Sequence, residues 1–189
     1  DRLHFCYQGF LHIPFLSHHI VIKVISTTTL TETLSEMVSV AENYCKLIEG
    51  LADESDQWLA SLYQLMPRLH SAVTLLNAYD TGDLQVSSVD LDERFELYSR
   101  LRKRLGERDS YWLEFDAAPE EMHRSGSLAD DLTDIYFDLQ HGLQLMAQAW
   151  PHRAAQAWQS SYRLHWGQHL VDAERHLYAL RVRNQLALN

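Results

Sequence analysis

Apolar residues recur at helical spacing over most of the chain. Met37, Ala41, Tyr44, Cys45 and Ile48 fall at i, i+4, i+7, i+8 and i+11, one stripe of a helix that Gly50 is placed to end. A second stripe joins Trp58, Leu62, Leu65, Leu69, Val73 and Leu76. Asp53, Ser55 and Asp56 offer N-caps before it, and Pro67 is expected to kink or split it near Met66. After a polar loop from Asn77 to Ser88, Asp90 and Glu93 make a capping-box-like start. The third helix there carries Leu91, Phe95, Tyr98, Leu101 and Leu105, and Gly106 closes it. Ser127, with Asp130 three residues on, opens a fourth helix. Its stripe of Leu128, Leu132, Ile135, Tyr136, Leu139, Leu143 and Met146 spans an arc of roughly 100°. Pro151 suits the first turn of a last long helix that runs to Leu180, past a tolerable Gly167, and Trp150-Pro151 makes the turn before it. The pattern predicts an all-α single-domain bundle of about five or six helices, with 127–146 and 151–180 as its central antiparallel pair.

Two stretches break the period. Residues 1–36 have no helical stripe, carry Ser26-Thr27-Thr28-Thr29, and precede the first clear amphipathic turn at Met37. They are expected to be a leader, a disordered arm or a gene-model extension, with 37–189 as the helical domain. A β-hairpin or arm at Ile20–Ile25 is the lesser alternative. Residues 107–126 also lack a period, yet hold Tyr111, Trp112 and Phe115 within five positions. A segment of this kind must lie on something, either as a strap over the bundle or as a lid over a pocket.

Composition narrows the function. The chain of 189 residues carries a net charge of −10 with 11 histidines besides, which argues against nucleic-acid phosphate as its main partner. Its most apolar run, Phe10 to Ile25, is interrupted by His12, Pro14, His18, His19 and Lys23 and falls short of a membrane span. Cys6 and Cys45 are too few and too isolated for a disulfide framework or a zinc cluster, so a reducing, cytoplasmic setting is expected. The basic run Arg100, Arg102, Lys103 and Arg104 lies among Glu93, Glu96 and Glu107 and reads as a solvated helix face. With Tyr111–Phe115 it also offers a surface to a protein partner or a second copy of the chain.

Three motifs carry a resemblance: Ala41-Glu42-Asn43-Tyr44-Cys45, the run from Ser127 to Leu139 containing Asp130-Asp131-Leu132-Thr133-Asp134-Ile135-Tyr136, and His165-Trp166-Gly167-Gln168-His169. Together they resemble a bacterial family known only as domain of unknown function 5063, over roughly Met37 to Leu180, with no expected counterpart for the first 36 residues. The resemblance implies a small helical cytosolic bacterial protein and no particular reaction. It also implies a further histidine near position 178, where this chain has Tyr178, with His176 displaced by two.

The chemistry lies in the last two helices. Asp131, Asp134 and Asp138 occupy one helix as an acidic ridge, and His165 and His169 stand four apart on the next, at the edge of its apolar arc. Facing carboxylates and imidazoles build metal sites in bundles, and this donor set suits zinc, iron or manganese. The ridge lies off its own apolar stripe, so only Asp131 and Asp138 are expected to turn inward, with Trp166 as packing support. The same residues also suit structural pairing, because acids favour a helix N-terminus and a buried histidine needs a hydrogen-bond partner. The leading expectation is a non-catalytic binding or interaction module. The alternative is a metal-binding bundle, down to an all-α nucleoside triphosphate pyrophosphatase-like enzyme in which Glu93-x-x-Glu96 and Asp131-x-x-Asp134 would hold magnesium.

Overall fold

The computed structural model describes residues 16–50, 57–76, 90–113 and 124–187, with side chains from residue 32 onward. Six α-helices account for most of them: α1 Leu16–Glu49, α2 Trp58–Leu75, α3 Leu91–Leu105, α4 Leu128–Ala147, α5 Pro151–Ser161 and α6 Gly167–Val182. A π-helical turn, Tyr162–Trp166, joins α5 to α6, so the two form one long rod and the bundle has five. The fold is all-α, as the periodicity predicts.

Helix α4 is the centre, packed by α1, α3, α5 and α6, while α2 lies against α1 and α6. Its start is capped twice. Ser127 accepts from the Asp130 N–H, and buried Asp109 accepts from the Ala129 N–H and the Ser127 hydroxyl. The core joins Met37, Tyr44 and Ile48 of α1 to Leu59, Leu62 and Leu69 of α2, Leu132, Ile135 and Leu139 of α4, and Trp158, Trp166 and Leu170 of the last rod. Cross-helix bonds fix the register. The Tyr44 hydroxyl donates to the Leu132 carbonyl (2.9 Å) and the Trp158 Nε1–H to that of Leu139 (3.1 Å).

Several expectations are corrected. Helix α1 is described from Leu16 and runs through Met37, so Ile20–Ile25 is helical and not a β-arm. Pro67 lies inside an unsplit α2, because the helix is held on both sides by neighbours that outweigh one missing N–H. The residue before α2 is Gln57, which makes no side-chain cap, and the candidates Asp53, Ser55 and Asp56 lie outside the described residues, as does the loop 77–88. Asp90 caps α3 as expected, but that helix buries Leu97, Leu101 and Leu105 and leaves Leu91 and Phe95 exposed. Residues flanking 114–123 are not an irregular strap: Ser110–Leu113 and Arg124–Ser127 pair as antiparallel strands β1 and β2, with Tyr111 opposite Gly126. Phe115 lies outside the described residues.

Candidate metal centre

The centre is built where α4, α6, α3 and β1 meet. Capped at Ser127, α4 presents Asp131, Asp134 and Asp138 to its neighbours at steps of three and four. On the last rod, the π turn widens the backbone so that the Gly167 N–H reaches the Tyr162 carbonyl, five residues back. This change of phase lets α5 bury Trp158 under α4 while α6 brings His169 onto the acids. A Cβ at Gly167 would lie 2.3 Å from the Tyr162 carbonyl oxygen, so the turn fits a glycine there. Trp166 is buried beneath the turn, its Nε1–H donating to the Ser161 hydroxyl (2.9 Å) and its ring edge-on to Tyr162 (5.0 Å). It packs the turn and does not line the acidic cluster.

His169 has a carboxylate on each ring nitrogen. Asp131 Oδ1 lies 2.9 Å from Nδ1 and Asp134 Oδ2 lies 3.3 Å from Nε2. Behind them, the Tyr111 hydroxyl donates to Asp131 Oδ2 (2.5 Å), and Arg94 of α3 donates to Asp134 Oδ1 from both Nε (2.9 Å) and Nη2 (2.5 Å) and to Asp130 (3.3 Å). His165 extends the row. Its Nδ1 meets Asp138 Oδ2 at 2.7 Å, and its ring stands edge-on to His169 at 5.3 Å. Among the described residues, Asp134, His165 and His169 form the one group of three whose potential metal-binding atoms all lie within 4.8 Å of one another.

Burial is where the sequence reading fails most clearly. The acidic ridge does not stay off the core: Asp131 is 4% exposed and Asp134 6%, while Asp138, expected to turn inward with Asp131, remains partly open. Asp134 is inside because Arg94 neutralises it, and buried charge is tolerated only when paired. Burial pushes the Asp131 carboxyl up, against the downward pull of its bonds from His169 and Tyr111. His169 is raised in turn, chiefly by the bond to Asp131. Tyr111 is held protonated by burial and by that same carboxylate, and His176, stacked on it at 4.7 Å, is lowered by burial. Cys45 is inert, its thiol pushed up to about 12 by burial.

Arg94 and Tyr111 were not legible as site residues. Arg94 had one signal, its place three residues before Leu97 and seven before Leu101 on the buried face of α3. Glu93 and Glu96 are exposed on that helix, and Arg94 alone of the three reaches the acids of α4, so the magnesium-type double acidic pair is not assembled.

Residues 28–183 match the sequence pattern of the family described as Domain of unknown function (DUF5063). The chain belongs to this family. The match takes in residues 28–36 as well as the stretch from Met37, and it contains every member of the cluster around His169. No curated protein matches the chain. Among solved structures, the chain is similar to the crystal structure of protein BF1032 from Bacteroides fragilis, at 23% identity and a TM-score of 0.63. That likeness covers 78% of this chain and 91% of the other, and at such identity it concerns the fold alone. No helix among the described residues of this DUF5063 chain is long and apolar enough to cross a membrane.

Proposed function

We propose that the protein is a cytoplasmic bacterial binding module whose site holds one divalent transition metal between Asp134, His165 and His169. The observation that carries this reading is the pair of carboxylates on His169. A carboxylate only accepts, so the Nδ1–H is committed to Asp131, and a neutral ring would then aim the lone pair of Nε2 at Asp134. With the ring neutral, that place is left to a cation. The 3.3 Å separation is also what two ligand atoms show when each is about 2.0–2.1 Å from one tetrahedral ion.

The surroundings support it. Metal-ligating histidines usually donate their other N–H to a carboxylate, which fixes the tautomer and raises ligand basicity. Here Asp131 stands behind His169 and Asp138 behind His165. Two imidazoles and one carboxylate suit zinc, iron or manganese, and three protein ligands leave room for water or a small ligand. His165 is half exposed, so the cluster is reachable from solvent. The buried free thiol of Cys45 suits a reducing compartment.

Calorimetric titration of the chelator-treated full chain with zinc and with manganese tests the reading. One equivalent should bind, binding should be lost in His165→Ala, and Asp138→Asn should weaken it by about 10- to 100-fold. Failure of the folded wild-type chain to bind either ion, with His169 still protonated near neutrality by NMR, would make the cation a proton and the cluster structural.

A further inference from the structure

A second polar cluster lies apart from the first, in the groove between α2 and α6. The Tyr162 hydroxyl is 2.9 Å from His70 Nε2, and His70 Nδ1 is 2.9 Å from Glu174 Oε2. Because the carboxylate only accepts, Nδ1 carries the proton and Nε2 accepts from Tyr162. His70 thereby satisfies both nitrogens with one proton, and one oxygen of Glu174 is left to a ligand. The groove has a volume of about 740 Å³, within the usual range for small-molecule sites. Met66 and Leu177, both buried, give it an apolar floor, and Tyr63 and Tyr178 bring aromatic rings to it.

Its charge is one-sided. Glu174 is the only Asp, Glu, Lys or Arg among its lining residues. The Thr74 hydroxyl is already turned onto the carbonyls of its own helix and adds no free donor. A singly negative, aromatic-walled groove complements an organic cation with an apolar body.

We propose that this groove binds a small organic amine, its ammonium taken by Glu174 and its apolar part laid over Met66 and Leu177 beside Tyr63 and Tyr178. His70 is a positioning residue: held by Tyr162, it fixes the carboxylate that meets the amine. The site is independent of the metal reading, since it shares no ligating residue with it.

The test compares 2-phenylethylamine, 2-phenylethanol and phenylacetate, three probes of like size and differing charge, by calorimetry and ligand-observed NMR on the full chain with chelator present. The amine should bind at least about tenfold more tightly than the alcohol, and the acid more weakly than either. Glu174→Gln, which can still accept from His70, should erase the preference for the amine while leaving the alcohol unchanged. Tyr178→Ala, at an exposed position where unfolding is not at issue, should weaken amine and alcohol together. Equal binding of amine and alcohol, preference for the acid, an unchanged amine affinity in Glu174→Gln, or no binding of any probe would each overturn the proposal.

Discussion

At the scale of single residues, the molecule is decided by which charges are paired in the interior. Asp131 and Asp134 are inside because His169, Tyr111 and Arg94 meet them. A spacing argument sees the acids and the histidines but not the partners that arrive from α3 and β1, since those contacts span up to 40 positions of sequence. His176 gives a prediction at this scale. Its Nε2 donates to the Arg108 carbonyl (2.7 Å), its ring stacks on Tyr111, and burial lowers its pKa from the ordinary 6.5. The folded state then binds fewer protons than the unfolded one, so the stability it supports is whole above pH 6.5 and declines as the pH falls through the lowered value. In the metal-free chain His169 has the opposite sign: raised, it contributes fully below 6.5 and loses that contribution as the pH climbs through its folded value. Melting curves of wild type and His176→Gln from pH 8 to pH 5 separate the two, and the variant should lose less stability on acidification. A larger loss in the variant would reverse the assignment.

At the scale of elements, most of the plan was legible and the junctions were not. The stripes of α1, α2 and α4 and the caps Asp90 and Ser127 are local features, written in a few neighbouring residues. The π turn is not, because Pro151 to Leu180 reads as one continuous helix until packing against α4 sets its phase. By sequence Gly167 is merely tolerable in a helix, whereas the close approach of the Tyr162 carbonyl fits a glycine. Gly167→Ala should therefore lower stability by about 1–3 kcal/mol, where an ordinary mid-helix replacement would raise it by about 1 kcal/mol, and should shift the His165 and His169 ring resonances together. An increase in melting temperature with unmoved resonances would refute the role of the turn. The α4–α5 junction offers a complementary case. Ala149 sits at φ +60°, where its N–H bonds the Met146 carbonyl and the Trp150 N–H bonds that of Leu145. A glycine there carries no Cβ penalty, so Ala149→Gly should stabilise the chain by about 1 kcal/mol in denaturant unfolding, despite its looser unfolded state. Destabilisation would mean that the left-handed turn is not what ends α4.

At the scale of the whole molecule, the last rod organises everything that has chemistry. Its π turn sends Tyr162 to the α2 groove and sets the phase in which His169 meets α4, so both clusters depend on one departure from α-helical geometry. The net charge of −10 is spread over a bundle that gathers two of its acids, Asp131 and Asp134, around one histidine. Taken as charges, Asp131, Asp134 and Arg94 leave one negative charge, which draws a cation to Nε2 of His169. On the proposed reading this cation is a metal ion. Elemental analysis of the full chain, purified without a histidine tag, tests it most directly. The wild type should carry one equivalent of zinc, iron or manganese per chain, and His165→Ala and His169→Ala none. Metal-free wild-type protein that stays metal-free after incubation with each ion would contradict it.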